Sequence, residues 1–92
     1  MIASFSHKGL ERYYKSGNVS GIQPNHAKRL RLILSNLDQA ESFTDMDMPG
    51  LKLHELVGRR AGIWAVTVSG NWRVTFRFAG RDAQKVNYED YH

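Results

Sequence analysis

GIWAVTVSGNWRVTFRF, residues 62–78, carries its apolar side chains on every second position. Trp64, Val66 and Val68 share one parity; after Gly70-Asn71, Trp72, Val74, Phe76 and Phe78 share another, with Arg73, Thr75 and Arg77 between them. A strand turns successive side chains to opposite faces, so the stretch predicts a hairpin with one apolar and one polar face, folded at Gly70-Asn71. A second turn over residues 79–82 leads into AQKVNYEDYH, where Val86 and Tyr88 continue the period. The C-terminal half therefore reads as an antiparallel meander.

Upstream the period changes. In PNHAKRLRLILSNLDQA, Ala27, Leu30, Ile33, Leu34 and Leu37 recur at helical spacing, with Lys28, Arg29 and Arg31 beside the stripe and Pro24 in the first turn. A shorter helix, HKGLERYYKS, is expected to start at Ser6 as N-cap and stop at Gly17, despite the weak helix former Gly9. Ile2, Ala3 and Phe5 suit a short first strand, and LKL at 51–53 another. SGNVSGIQ and ESFTDMDMPG read as loops. Helices first and strands after predict an α+β fold: two N-terminal helices packed on one face of a twisted, mainly antiparallel sheet. With no repeat or linker, residues 1–92 form a single domain.

The chain has a formal charge of +4 and a pI near 9.7, and its acids are segregated. Residues 50–81 carry Lys52, Arg59, Arg60, Arg73, Arg77 and Arg81 against Glu55 alone, a bias that fits either a polyanionic partner such as nucleic acid or a merely solvated basic surface. The absence of cysteine excludes disulfides and thiolate metal sites. MIASFSHKGL is too polar for a secretory signal and no segment is long and apolar enough to span a bilayer, so the expected address is the cytoplasm, with no membrane partner.

Two groups of side chains carry chemistry. Arg73 and Arg77 are both on the polar strand face, where a phosphate between them would relieve their mutual repulsion; the plainer reading is a solvent-washed face. The chain ends on Asp90, Tyr91 and His92, and strand parity from an inward Tyr88 puts Asp90 and His92 on its side and Glu89 and Tyr91 on the other. His54 follows the LKL strand and would meet this end if that strand joined the meander. Two imidazoles, a carboxylate, a phenol and an arginine suffice to cleave RNA without a metal ion: one group takes the 2′-hydroxyl proton, one protonates the leaving 5′-oxygen, and a cation stabilises the charge on phosphorus. Asp90 would orient His92 or act as base, and Arg73 would bind the phosphate. The rival arrangement, His54, His92 and Asp90 around a divalent cation, matches no ligand spacing. For His54 a surface role and for His92 a disordered end are the bland alternatives, while His7 and His26 read as structural or exposed.

LKLHELVGRRAGIWAVTVSGNWRVTFRFAGRDAQKVNYEDYH resembles the C-terminal half of HigB-type toxins, the plasmid-maintenance killer branch of the RelE-like ribonuclease superfamily. NWRVTFRF, Asp82-Ala83 and the closing YEDYH carry the likeness, and FSHKGLERYY and IQPNHAKRLRLIL extend it over nearly the whole chain. The resemblance implies a microbial RNase fold, cleavage of messenger RNA during translation on the ribosome, no cofactor, and inhibition by a helix-turn-helix, HigA-like antitoxin that alone would contact operator DNA. It assigns the active site to His54, Arg73, Asp90, Tyr91 and His92; Arg77, from its place on the polar strand face, and Arg59 and Arg60, from the nearby loop, are the further candidates for binding RNA. Many relatives read HPLKG where this chain reads HELVG: Glu55 replaces a proline and Val57 a lysine, whose phosphate contact Arg59 or Arg60 would have to supply. Two competing functions follow, a weak or inert module that binds nucleic acid or antitoxin, and a metal-dependent nuclease.

Overall fold

Four strands, β1 (His54–Glu55), β2 (Trp64–Ser69), β3 (Trp72–Ala79) and β4 (Asp82–Asp90), form an antiparallel meander in chain order in the computed structural model, which describes residues 1–91. Both long hairpins turn on two residues with glycine first: Gly70 has φ 56° and Gly80 φ 62°, values that cost glycine nothing and match the twist of the flanking strands. The short strand expected at LKL lies one step later, at His54–Glu55, while Leu51 O accepts the Thr67 N–H at 2.8 Å.

Strict alternation fails twice: near the end of β2, where the register against β3 shifts between Thr67 and Ser69, and in β4. The register steps from Thr75↔Asn87 to Arg77↔Gln84, and the extra residue falls at Lys85, with φ 53°. This bulge lets Ala83 and Val86, three residues apart, both reach the buried side. The N-terminal segment repeats the offset: Ile2 and Phe5 bridge Ala83 and Val86 in parallel, and Ser4 Oγ accepts the Lys85 N–H at 2.9 Å. Residues 1–6 thus cover the outer edge of β4 with backbone bonds that include Ala3 N to Ala83 O (2.7 Å) and Ser6 N to Val86 O (2.9 Å).

Two helices, α1 (Lys8–Ser16) and α2 (Ala27–Gln39), cover the apolar face of the sheet, and a 3-10 turn over Pro24–His26 leads into the second. The N-cap of α1 is His7 rather than Ser6: its Nδ1 accepts the Leu10 N–H at 2.9 Å and its C=O accepts the first helical bond, from Glu11 N at 3.0 Å, while Ser6 still pairs with β4. Gly17, at φ 78°, ends the helix as expected. Gly9 is required despite its poor helix propensity, since a Cβ there would stand 2.5 Å from Gly21 O, where the following loop crosses α1. Leu10, Leu30, Ile33, Leu34 and Leu37 pack on Val66, Val74, Phe76 and Val86 in a fully enclosed core. At about 25 cal/mol per Å² of apolar surface removed from water, each such side chain contributes roughly 1.5–3 kcal/mol. His26 is buried, its Nδ1 2.6 Å from the Tyr88 hydroxyl, and so is structural. Among the described residues no helix is long and apolar enough to cross a membrane.

Candidate active site

The helices occupy one side of the sheet, which leaves the arginine-bearing side for chemistry. Register aligns His54, Ala65, Thr75 and Asn87 in one row across the strands, and Thr67, Arg73 and Glu89 in the next. Ala65 and Thr75 are buried although they face away from the helices, because residues 56–63 fold back over this face. The segment is closed by Leu56 N to Ile63 O (2.8 Å) and by Glu55 Oε2, which accepts the Gly62 N–H at 2.8 Å. Glu55 therefore has a local structural task.

Arg73 does not stand as a bare cation beside Arg77, contrary to the repulsion expected from sequence. Its Nε donates to one oxygen of Glu89, Oε1, at 2.9 Å, its Nη2 lies 2.8 Å from the same oxygen, and Arg60 Nη2 pairs with that oxygen from residues 56–63 at 3.0 Å. The Arg73 side chain is 12 % exposed. The Tyr91 ring lies over it, with the guanidinium carbon 4.2 Å from the ring centroid. Beyond the end of β4 the chain is still held, since Tyr91 N donates to Asn71 O at 2.8 Å. The chain is therefore anchored as far as Tyr91.

His54 is exposed on the same face, with Nδ1 3.0 Å from Lys52 O. A carbonyl can only accept, so this bond needs the proton on Nδ1 and leaves Nε2 of the neutral ring as an acceptor. Arg77 is exposed further along β3 opposite Gln84, and Arg59 is exposed on the 3-10 turn Gly58–Arg60. Val57, at 88 % exposure, presents no charge.

Asp90 pairs with Trp72 and so shares the face of Tyr88, across the strand from Arg73. The Tyr88 phenol is pushed up from its ordinary pKa mainly by burial, with the Asp90 charge adding to the rise and the Gln23 N–H opposing it. His92 lies outside the described residues, and with it the distance to His54 and the proposed metal set. Among the described residues no three His, Asp or Glu side chains converge as metal ligands. The structure thus gathers His54, Arg73, Arg60 and Tyr91 on one face and sets Asp90 on the other. The residue that sequence reasoning missed is Glu89; its parity placed it on the Arg73 face, and its cross-strand position was the available signal. A hollow of about 230 Å³ lies elsewhere, lined by Tyr13, Tyr14, Gly17, Arg31, Leu34 and Ser35 of the helical side.

Residues 3–92 match the family model described as RelE-like toxin of type II toxin-antitoxin system HigB. The chain is 42% identical over 92 residues to Endoribonuclease HigB of Proteus vulgaris, covering 100% of both chains. Among solved structures it resembles YafQ from E. coli strain BL21(DE3), with a TM-score of 0.56, 16% identity and coverage of 98% of this chain and 93% of that one. A histidine-to-glutamine mutant of E. coli YafQ gives a TM-score of 0.55 at 17% identity, with the same coverage. At these identities the two structures speak for the fold alone.

Proposed function

Because the chain belongs to the HigB-like family of RelE-like toxins, we propose that it is an endoribonuclease that cuts translated messenger RNA on the ribosome without a metal ion. The observation that carries this reading is the grouping of Arg73, Arg60 and Tyr91 at the C-terminal end of β4, with His54 of β1 on the same sheet face. Two guanidinium groups suit a phosphate, and an exposed phenol ring on one of them offers a surface for a base.

In the proposed reaction the 2′-oxygen attacks phosphorus as its proton passes to a base, and the P–O5′ bond breaks as an acid protonates the leaving oxygen. A 2′,3′-cyclic phosphate and a 5′-hydroxyl result. His54, through Nε2, and His92 with Asp90 supply the base and acid; Arg73 stabilises the charge developing on the phosphoryl oxygens; Tyr91 orients the substrate or shares in proton transfer. Arg59, Arg60 and Arg77 steer the RNA backbone, and Arg60 takes the phosphate-facing place of the lysine absent at Val57. The inhibitor is a helix-turn-helix, HigA-like antitoxin, through which operator DNA is contacted.

Primer extension on translated messages after brief induction tests the assignment, with a chain lacking His92 as control. Strong cleavage by the full chain and little by the shortened one is expected; equal cleavage rejects the site. Undiminished cleavage on ribosomes kept in Mg²⁺ is expected when the toxin alone has been treated with a transition-metal chelator and desalted beforehand, and its loss would favour the metal set. An inert binding module is excluded by growth arrest when the chain is expressed alone.

A further inference from the structure

Glu89 has no place in the reaction described above, yet it is paired with two residues that do, Arg73 and Arg60. Three guanidinium nitrogens from two arginines converge on one of its oxygens, at 2.8, 2.9 and 3.0 Å. We propose that Glu89 is a positioning residue, which holds Arg73 and Arg60 side by side as a ready-made clamp for the scissile phosphate. The proposal rests on the nuclease reading.

The geometry assigns the role. Arg73 spends its Nε–Nη2 edge on Glu89, which leaves Nη1 and the second N–H of Nη2 as its remaining planar donor pair. Arg60 belongs to the covering segment and Glu89 to β4, so the shared oxygen also ties that segment across the sheet. Two cations this close would diverge without an anion between them. With Glu89 the group keeps a surplus of one positive charge, and the phosphate meets donors already in place. An oxygen that accepts the Arg73 Nε–H and lies within 3.0 Å of two further guanidinium nitrogens is held in its charged form by them and is a poor acceptor for a substrate proton, which argues against Glu89 as the base.

Removal of the carboxylate has two opposite effects. The clamp gains one unit of positive charge, which strengthens binding of any polyanion, and it loses its preset geometry, which slows the chemical step. Glu89→Ala and Glu89→Gln separate them, because glutamine drops the charge but keeps an oxygen for the Arg73 N–H groups. Binding is read by fluorescence anisotropy of a labelled single-stranded 2′-deoxy oligonucleotide, which cannot be cut, over a salt series. Cleavage is read as single-turnover rates on programmed ribosomes, and folding as circular-dichroism melting.

Both variants are expected to bind the probe about fivefold more tightly at low salt, with a salt slope steeper by about 0.7. Cleavage should slow at least about tenfold in Glu89→Ala and distinctly less in Glu89→Gln. Unchanged or faster cleavage in both variants overturns the proposal and makes Glu89 a bystander or a brake. A parallel fall in binding, rate and melting temperature overturns it in favour of a general structural role. A wild-type protein that cuts no message sinks the nuclease reading instead, and the probe arm alone then decides whether Glu89 restrains the arginines.

Discussion

His7 holds the first turn of α1 through one nitrogen, and that nitrogen titrates. Burial, with help from Arg12, sets its pKa below the ordinary 6.5 even though a backbone bond opposes the shift. Protonation removes the lone pair that accepts the Leu10 N–H. Since the folded pKa is the lower one, the cap contributes fully above pH 6.5 and is lost as pH falls through the folded value. His7→Asn keeps a capping oxygen that does not titrate, so its melting temperature should fall less between pH 7.5 and 5 than that of the wild type; equal falls would absolve His7. Gly9→Ala sets about 1 kcal/mol of helix propensity against a methyl pressed 2.5 Å from a backbone oxygen. Overpacking of this kind costs about 1–3 kcal/mol, so the variant should melt lower. Neither residue was legible in sequence. Ser6 outranks histidine as a cap by type, but Ser6 is still paired with β4 and the first helical bond falls on His7 O, one residue later. Gly9 looked like a weakness because the loop pressed against it comes from elsewhere in the chain.

At the scale of elements the strands were the most readable part, since period two survives wherever one face is buried. Alternation placed Arg73, Glu89 and Tyr91 on one side and Tyr88 on the other, as the register has them. It could not reveal the Lys85 bulge, which shifts the parity of Ala83 against Val86 through backbone geometry alone. Nor could it show that the first strand runs parallel to the last. β4 is held from three directions: by β3, by residues 1–6, and by the bond between Tyr88 and the buried His26. Tyr88→Phe leaves that imidazole nitrogen without its hydroxyl partner and should cost about 1–3 kcal/mol, read as a lower urea midpoint; an unchanged midpoint would mean that another group satisfies His26. Deletion of residues 2–5 bares the outer edge of β4, and the expected result is concentration-dependent aggregation in light scattering rather than a monodisperse, less stable monomer.

The whole molecule measures 30 × 28 × 25 Å, so its surfaces differ in task within a short distance. The helical side carries Lys28 and Arg31 in the open, while the sheet side holds Arg60 and Arg73 against Glu89, with Arg77 further along β3 and Arg59 exposed beside Arg60. The two chain ends are also unlike. Met1 lies beside Asp82 and accepts the Ala83 N–H, whereas Tyr91 stacks on Arg73 within the candidate site. A C-terminal tag should therefore weaken growth arrest more than an N-terminal tag at matched expression, and equal arrest would show that the site tolerates extra chain there. Fold class was evident from helices preceding strands. The site was legible as residue types and, through strand parity, as a division between two faces; the convergence of Arg73 and Arg60 on Glu89 was not, because it depends on the β3–β4 register and on where residues 56–63 lie.

The seating of the last strand between its hairpin partner and the opening residues has a consequence for biosynthesis. Residues 1–6 are synthesised long before the strand they dock against, so the sheet closes only once β4 has followed. A half-made copy therefore lacks both its final seam and the surface on which Glu89 gathers the two guanidinium groups.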